Sequence, residues 1–371
     1  MKNFKFRMVF FAGVMAACGA MLPLGEENRL SPADFVKITE ESQWHYQLSV
    51  LETLGRPPAE GFTDALWPQM RHASGFPVVT GQKKEKRVTE YDLSEPLAAE
   101  ILKAEEFFKK GSYEKALPIY KTALSLDPKC YLLYSDIGDC HLFSGDPETA
   151  ISYYDRAIKL NPADHRTYTY KGNALFGLKK YEEARALYAR ALALRPRNTF
   201  TLGVLEKKAE VLGVKIIKDA FVPPVFIKKE AEGTNLYFDP RPYWLAYGLC
   251  KSAWASEPSH RKKYTGEEDH NWTTTEERQC LDVLLQAYGA ERAASSFVED
   301  ENVEFLLKIT EEEMLDCFII YELGSRAYPD IVLLLDDAMQ ERMTQYVLKF
   351  VLPRTEEAPP PQEAALTERD I

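Results

Sequence analysis

A recurrence every 34 residues governs what this 371-residue chain can fold into. Three consecutive windows open at Leu97, Tyr131 and His165, and equivalent residues fall into register in each. An alanine recurs at Ala116, Ala150 and Ala184, and an aromatic ring follows at Tyr120, Tyr154 and Tyr188. A second alanine stands at Ala123, Ala157 and Ala191, and a proline closes each window at Pro128, Pro162 and Pro196. Gly111 and Gly145 mark the turn before the first alanine, with Lys179 in the third equivalent place. Gly138 and Gly172 recur in the first half of two windows, where the first window has Ala104. A period of this size means one helix-turn-helix unit per repeat, because a lone hairpin cannot bury its apolar face and must stack on its neighbours.

Each recurrence has a mechanical cause. Alanine and glycine let two helices approach closely, the ring fills the space beside them, and proline stops the second helix because it lacks a backbone donor. Thr199 to Leu212 reads as a capping helix, with Leu202, Leu205, Ala209 and Leu212 toward the stack and Glu206, Lys207, Lys208 and Glu210 outward, ended by Gly213. Together these residues resemble the tetratricopeptide repeat over Leu97 to Asn198, 102 of the 371 residues. The expected fold is therefore mostly α: a solenoid of three repeats plus capping helix over 97–212, followed by a largely helical C-terminal domain over 214–352.

The resemblance implies that the first helix of each repeat lines a concave groove that binds a protein or peptide. The residues so implicated are Ile101, Glu105 and Phe108, then Leu132, Ser135, Asp139 and Leu142, then Arg166, Thr169, Asn173 and Phe176. Members of the family that clamp a chaperone's terminal carboxylate use Lys, Asn and Arg at matching places. Ile101, Glu105 and Asp139 stand there instead, so a carboxylate clamp is not expected. The competing reading has the groove filled by this chain's own flanks.

Residues 1–17 have the layout of a secretory signal, with Lys2, Lys5 and Arg7 before an apolar run from Met8 to Ala17 that is too short to span a bilayer comfortably. Val14-Met15-Ala16-Ala17-Cys18 resembles a bacterial lipobox with Met15 in the usual leucine place, which implies lipid attachment at Cys18. Residues 26–90 read as a short module and linker: Ser31-Pro32 opens a helix over Asp34 to Leu54, Gly61 to Gly75 is irregular, and 82–87 is charged. Beyond Gly213, short strands or extended arms fall near Ile216-Ile217, Val225 to Ile227 and Leu236 to Phe238. Helical patterns follow at Arg241 to Ala255, Thr275 to Ala294, Glu311 to Ala327 and Pro329 to Val351, with Thr273/Glu276 and Thr310/Glu313 at capping-box spacing. The proline- and glutamate-containing tail, 354–371, reads as disordered.

The formal charge of −11 argues against a nucleic-acid partner, because phosphate contacts need surplus Lys and Arg. No local signature of a hydrolase nucleophile, phosphate loop, zinc helix or dinucleotide loop is present, so no cofactor, metal or catalytic residue is assigned. The cysteines other than Cys18 show no CxxC pairing. Cys140, Cys280 and Cys317 read as buried thiols, and a Cys130–Cys140 pair stays open. Tyr243, Trp244, Tyr247 and Trp254 form a second candidate patch, for which core packing is the competing use. The expectation is an exported protein, in the periplasm or on the outer membrane through a lipid at Cys18, whose repeats serve as scaffold or adaptor. Two other readings stay open. One is an enzyme whose site, around Glu257, His260, Glu276 and Glu313, lies in the C-terminal domain; the other is a self-associating repeat protein.

Overall fold

The computed structural model describes residues 29–54, 74–82, 85–218, 220–231, 233–295 and 297–355. The signal at 1–17, Cys18, most of the irregular stretch before Gly75 and nearly all of the tail lie outside them. Through the chain the elements are α1 (Pro32–Glu40), β1 (His45–Val50), β2 (Pro77–Thr80), β3 (Arg87–Glu90), α2 (Glu95–Phe108), α3 (Tyr113–Leu126), α4 (Tyr131–Phe143), α5 (Pro147–Leu160), α6 (His165–Gly177), α7 (Tyr181–Leu194) and α8 (Thr199–Leu212). There follow β4 (Val225–Lys229), β5 (Gly233–Phe238), α9 (Pro242–Ser256), α10 (Pro258–Thr265), α11 (Thr274–Glu291), α12 (Glu301–Glu311), α13 (Leu315–Phe318), α14 (Ser325–Ala327) and α15 (Asp337–Tyr346).

These elements form two compact units, each drawn from two separated stretches: 1–72 with 219–331, and 73–218 with 332–371. The division differs from the sequence reading, in which 26–90 and 214–352 each stood alone. Strand pairing is the reason, because β1 hydrogen-bonds to β5 in one unit while β2 and β3 belong to the other.

In the array unit α2 to α7 are three antiparallel hairpins and α8 is the cap, as the period required. Ala116, Ala150 and Ala184 and the rings of Tyr120, Tyr154 and Tyr188 are wholly buried. A Cβ added at Gly138 would come within 2.6 Å of the Tyr154 ring, and one at Gly172 within 2.7 Å of Tyr188, so each ring lies directly on glycine backbone. Gly111, Gly145 and Lys179 turn the three hairpins with φ of 70°, 85° and 60°. Lys179 thus holds a left-handed conformation that costs a residue with a Cβ about 1 kcal/mol. Lys179→Gly is expected to raise stability by about that amount in urea unfolding, and an unchanged midpoint would contradict the strain.

The antiparallel hairpin β2–β3 runs along the edge where one repeat passes to the next. Val78 packs with the first-repeat core, Val79 and Val88 pack with Ala163, Tyr168, Ala191 and Leu194, and Asn161 Nδ2 donates to the Pro77 carbonyl at 2.8 Å. On α7, Arg190 donates to the Gln340 carbonyl at 3.0 Å and Arg185 to those of Leu348 and Leu352 at 2.8 and 2.9 Å, fastening α15 and the π turn Val347–Val351 to the third repeat. The single helix expected over Pro329 to Val351 is broken, since Asp336 caps a new start by accepting from the Met339 amide.

The sheet unit holds a three-stranded sheet in the order β1-β5-β4, with β1 parallel and β4 antiparallel to β5. The helix expected to run on to Leu54 stops at Glu40. Tyr46, Leu48 and Val50 alternate with polar residues, which suits a strand and not a helix. Gly248 lets α9 lie on the sheet, since a Cβ there would fall 2.7 Å from Leu236. Thr273 caps α11 as its spacing implied, by accepting from the Glu276 amide at 3.1 Å. Thr310 does not cap anything: it lies inside α12 and bonds back to the Leu306 carbonyl, while Glu313 sits in the following turn with φ 56°.

Cys250 on α9 and Cys280 on α11 form a disulfide, with Cα atoms 5.4 Å apart, so Cys280 is not the free buried thiol that its apolar setting implied. Cys130, Cys140 and Cys317 are free and buried, which leaves the Cys130–Cys140 pair unformed. Closing a loop of 30 residues removes unfolded-state entropy worth about 3–4 kcal/mol. Cys250→Ala with Cys280→Ala should lower the unfolding free energy of this unit by a comparable amount. Equal melting of oxidised and reduced protein would show that the bond adds nothing.

Candidate functional site

The residues that the sequence implicated lie on the first helix of each repeat, α2, α4 and α6. Because Tyr120, Tyr154 and Tyr188 lie on small residues, their hydroxyls reach polar positions on those helices. Each donates to the same position in its own repeat: Tyr120 to Glu105 at 2.6 Å, Tyr154 to Asp139 at 2.5 Å and Tyr188 to Asn173 at 2.8 Å. Three of the residues that sequence placed in the groove are thus a repeated row of acceptors. Ile101, Phe108, Leu142 and Arg166 are half-buried beside them.

Four others are turned inward. Leu132 and Phe176 are buried, and hydroxyl pairs join α4 to α6 and α6 to the cap α8, Ser135 with Thr167 at 2.8 Å and Thr169 with Thr201 at 2.9 Å. These four hold the helices together and are not open to a ligand. Arg166 pairs with Asp164 at 2.9 Å and its guanidinium lies 4.5 Å over the Phe76 ring, so the chain's own segment before β2 covers that end of the face.

Residues 101–165 and 136–199 match the family model described as the tetratricopeptide repeat. Residues 101–199 are tetratricopeptide repeats. Among solved structures, the first such domain of Spaghetti (RPAP3) bound to an HSP90 peptide is 28% identical, covering 32% of this chain and 95% of that one, with a TM-score of 0.30. The corresponding domain of Arabidopsis OM64 is 25% identical, covering 30% and 92%, with a TM-score of 0.29. The Yersinia enterocolitica type III secretion chaperone SycD in complex with a peptide of the translocator YopD is 20% identical, covering 31% and 92%, with a TM-score of 0.28. No curated protein matches the chain.

The electrostatics of the tetratricopeptide face centre on Asp136, half-buried on α4 and missed by the sequence reading. Burial pushes its carboxyl well above the usual carboxylate range, and Asp139 and Glu105 push it further while Arg166 opposes. Burial likewise raises Asp139 to about 7, with the Tyr154 hydroxyl opposing and Glu105 reinforcing. Cys140 from the same helix and Tyr170 from α6 complete their surroundings. A carboxyl whose folded pKa is raised binds its proton more tightly in the native state, so the stability it confers is present below about pH 4 and is lost as pH rises through 7. The array should therefore unfold at lower urea at pH 8 than at pH 5, and Asp139→Asn should reduce the difference, with Asp136 keeping the rest; identical pH profiles of wild type and variant would contradict it.

The second candidate patch is core. Tyr243, Trp244, Tyr247 and Trp254 are at most 1% exposed, and Asp300 accepts from Trp244 Nε1 at 2.9 Å and Tyr243 Oη at 3.3 Å. Nor do the residues of the enzymatic alternative form an open site. Glu257 accepts from Ser42 and Tyr46, His260 bonds to Gln279 at 3.0 Å, and Glu313 stands exposed in its turn. Glu276 joins a closed ionic set with Lys251 and Glu277, all three fully buried. Burial opposes every charge in that set. The two carboxylates nevertheless hold the Lys251 ammonium above its usual value, and Lys251 and His270 bring Glu276 down to about 2. Glu277 is pushed up by burial against the pull of Lys251. With all three side chains fully buried, the set ties α9 to α11 within the core. Among the described residues no cluster of His, Cys, Asp and Glu is arranged to hold a metal ion.

Proposed function

We propose that this is an exported adaptor whose tetratricopeptide face holds a polypeptide partner. The carrying observation is that, apart from Phe76 against the Arg166 guanidinium at one end, the described flanks within the array unit pack elsewhere: β2–β3 follows the edge between repeats and α15 is fastened to α7, a second helix. Ile101, Glu105, Asp136, Asp139, Leu142 and Asn173 keep partial exposure on the inner side. Solved structures of the same repeat type include ones with peptides bound, of HSP90 in one case and of YopD in another.

Export is supported by the signal-like pattern of residues 1–17 and by the Cys250–Cys280 bond, since disulfides persist in oxidising compartments. A lipid on Cys18 would place the adaptor at a membrane surface, and no helix among the described residues is long and apolar enough to cross one.

A photo-activated crosslinker at Ile101 or Leu142 should join the partner in intact cells, and one at exposed Lys121 or Lys159 on the second helices should not. Equal labelling from all four positions, or none from the first pair, would refute the groove. Cys18→Ser should abolish incorporation of a fatty-acid analogue and release the protein from membranes; unchanged incorporation would remove the anchor.

A further inference from the structure

The partner's chemistry is written in what the inner face lacks. Asp136 and Asp139 form no ion pair among the described residues, and Glu105, besides accepting from Tyr120, lies 3.6 Å from the exposed Lys109 ammonium. Arg166, the cation that opposes the rise of Asp136, is tied to Asp164 through Nε, with its Nη2 making no hydrogen bond. Three carboxyls are thus gathered on α2 and α4, and among the described residues Lys109, on Glu105, is the one cation ion-paired to any of them. Ionising them side by side with little hydration is costly, which is why Asp136 and Asp139 retain protons, and an incoming cation relieves that cost.

Apolar surface flanks them on both sides. Leu102, Asp136 and Tyr170 occupy the same place in successive repeats, 34 residues apart, so they form one row across the face. Leu102 at one end of the row is 65% exposed. At the other end Tyr170 meets Phe200 edge-on at 5.7 Å, and Phe200 is 45% exposed. The order across the face is apolar, acidic, aromatic.

We propose that this face takes a polypeptide segment with a lysine or arginine set between apolar residues, the cation over Asp136, Asp139 and Glu105 and its neighbours against Leu102 and against Tyr170 with Phe200. The inference rests on the groove being a polypeptide site and specifies what that site selects. It is opposite in sign to a carboxylate clamp, whose ligand is an anion.

The test uses the full chain and three short fluorescein-labelled peptides, identical except for a central residue, Lys, Gln or Glu, placed between leucines. Fluorescence anisotropy should rank Lys above Gln above Glu, with about a tenfold step from Lys to Gln that shrinks as salt is raised. Asp136→Asn with Asp139→Asn should remove that step. The amide at 139 can still accept from Tyr154, as Asn173 does from Tyr188, so the fold is expected to hold. Glu105→Gln, on the half-exposed rim, gives a second measurement with a smaller loss in the same direction. Binding that ignores the central residue, or a step that survives both variants, would overturn the inference. A crosslinker at Leu142 separates the two levels: labelling by all three peptides alike refutes the charge selection and keeps the groove, whereas labelling by none refutes both.

Discussion

Lys251→Met should destabilise the sheet unit by about 3–5 kcal/mol, because it leaves two buried carboxylates facing each other without their cation. Lys251 Nζ donates to both Glu276 and Glu277, and all three side chains are wholly buried. The remaining hydrogen bonds, from Trp272 Nε1 to Glu277 at 2.7 Å and between His270 and Glu276 at 3.0 Å, cannot neutralise two charges. For a unit of this size the melting point should fall by on the order of 10 °C. Removing the whole set, as Lys251→Met with Glu276→Gln and Glu277→Gln, should recover much of the loss, since no buried charge then lacks its partner. A single variant that melts within a degree or two of wild type would show that the ammonium does not hold this core together.

Gly138→Val should cost the array about 3 kcal/mol, even though valine forms helix slightly better than glycine. The propensity gain is under about 1 kcal/mol, whereas the added Cβ would stand 2.6 and 2.9 Å from two carbons of the Tyr154 ring. That ring is fully buried and its hydroxyl is tied to Asp139, so it has no free direction in which to move. Gly203, on α8, has no atom within 4 Å of a built Cβ, and Gly203→Ala should therefore gain up to about 1 kcal/mol. Equal and opposite shifts are not required, only opposite signs. In a double-mutant cycle, Tyr154→Leu should soften the Gly138→Val penalty, and strict additivity would show that ring and backbone do not meet.

The repeats were legible because their signals are local and recur: alanine, ring and proline in a fixed order state the same packing problem three times. The acceptor row was legible for a related reason, since Glu105, Asp139 and Asn173 share a place in the period. What the period does not reveal is direction within a helix. Ser135 and Thr169 belong to the same predicted face yet turn toward the neighbouring helix, and Asp136, one residue from Ser135, keeps partial exposure. The sheet unit was hidden more deeply, because its decisive contacts are remote in sequence. β1 finds β5 across nearly the whole array, and Cys250 finds Cys280 only after α9 and α11 have packed. Thr310 and Glu313 show the opposite error, a capping spacing that arises without a helix start.

Interleaving has a cost in time. A polypeptide that emerges from a ribosome or a translocation pore amino end first delivers β1 long before β5, and the three hairpins before α15. The hairpins can stack early from neighbouring residues alone, but β1 must wait unpaired, with its backbone groups open to any other strand, until residue 238 has passed. Shortening the chain at its carboxyl end should therefore injure the array, which loses the residues after 331, and trimming at the amino end should injure the remote sheet.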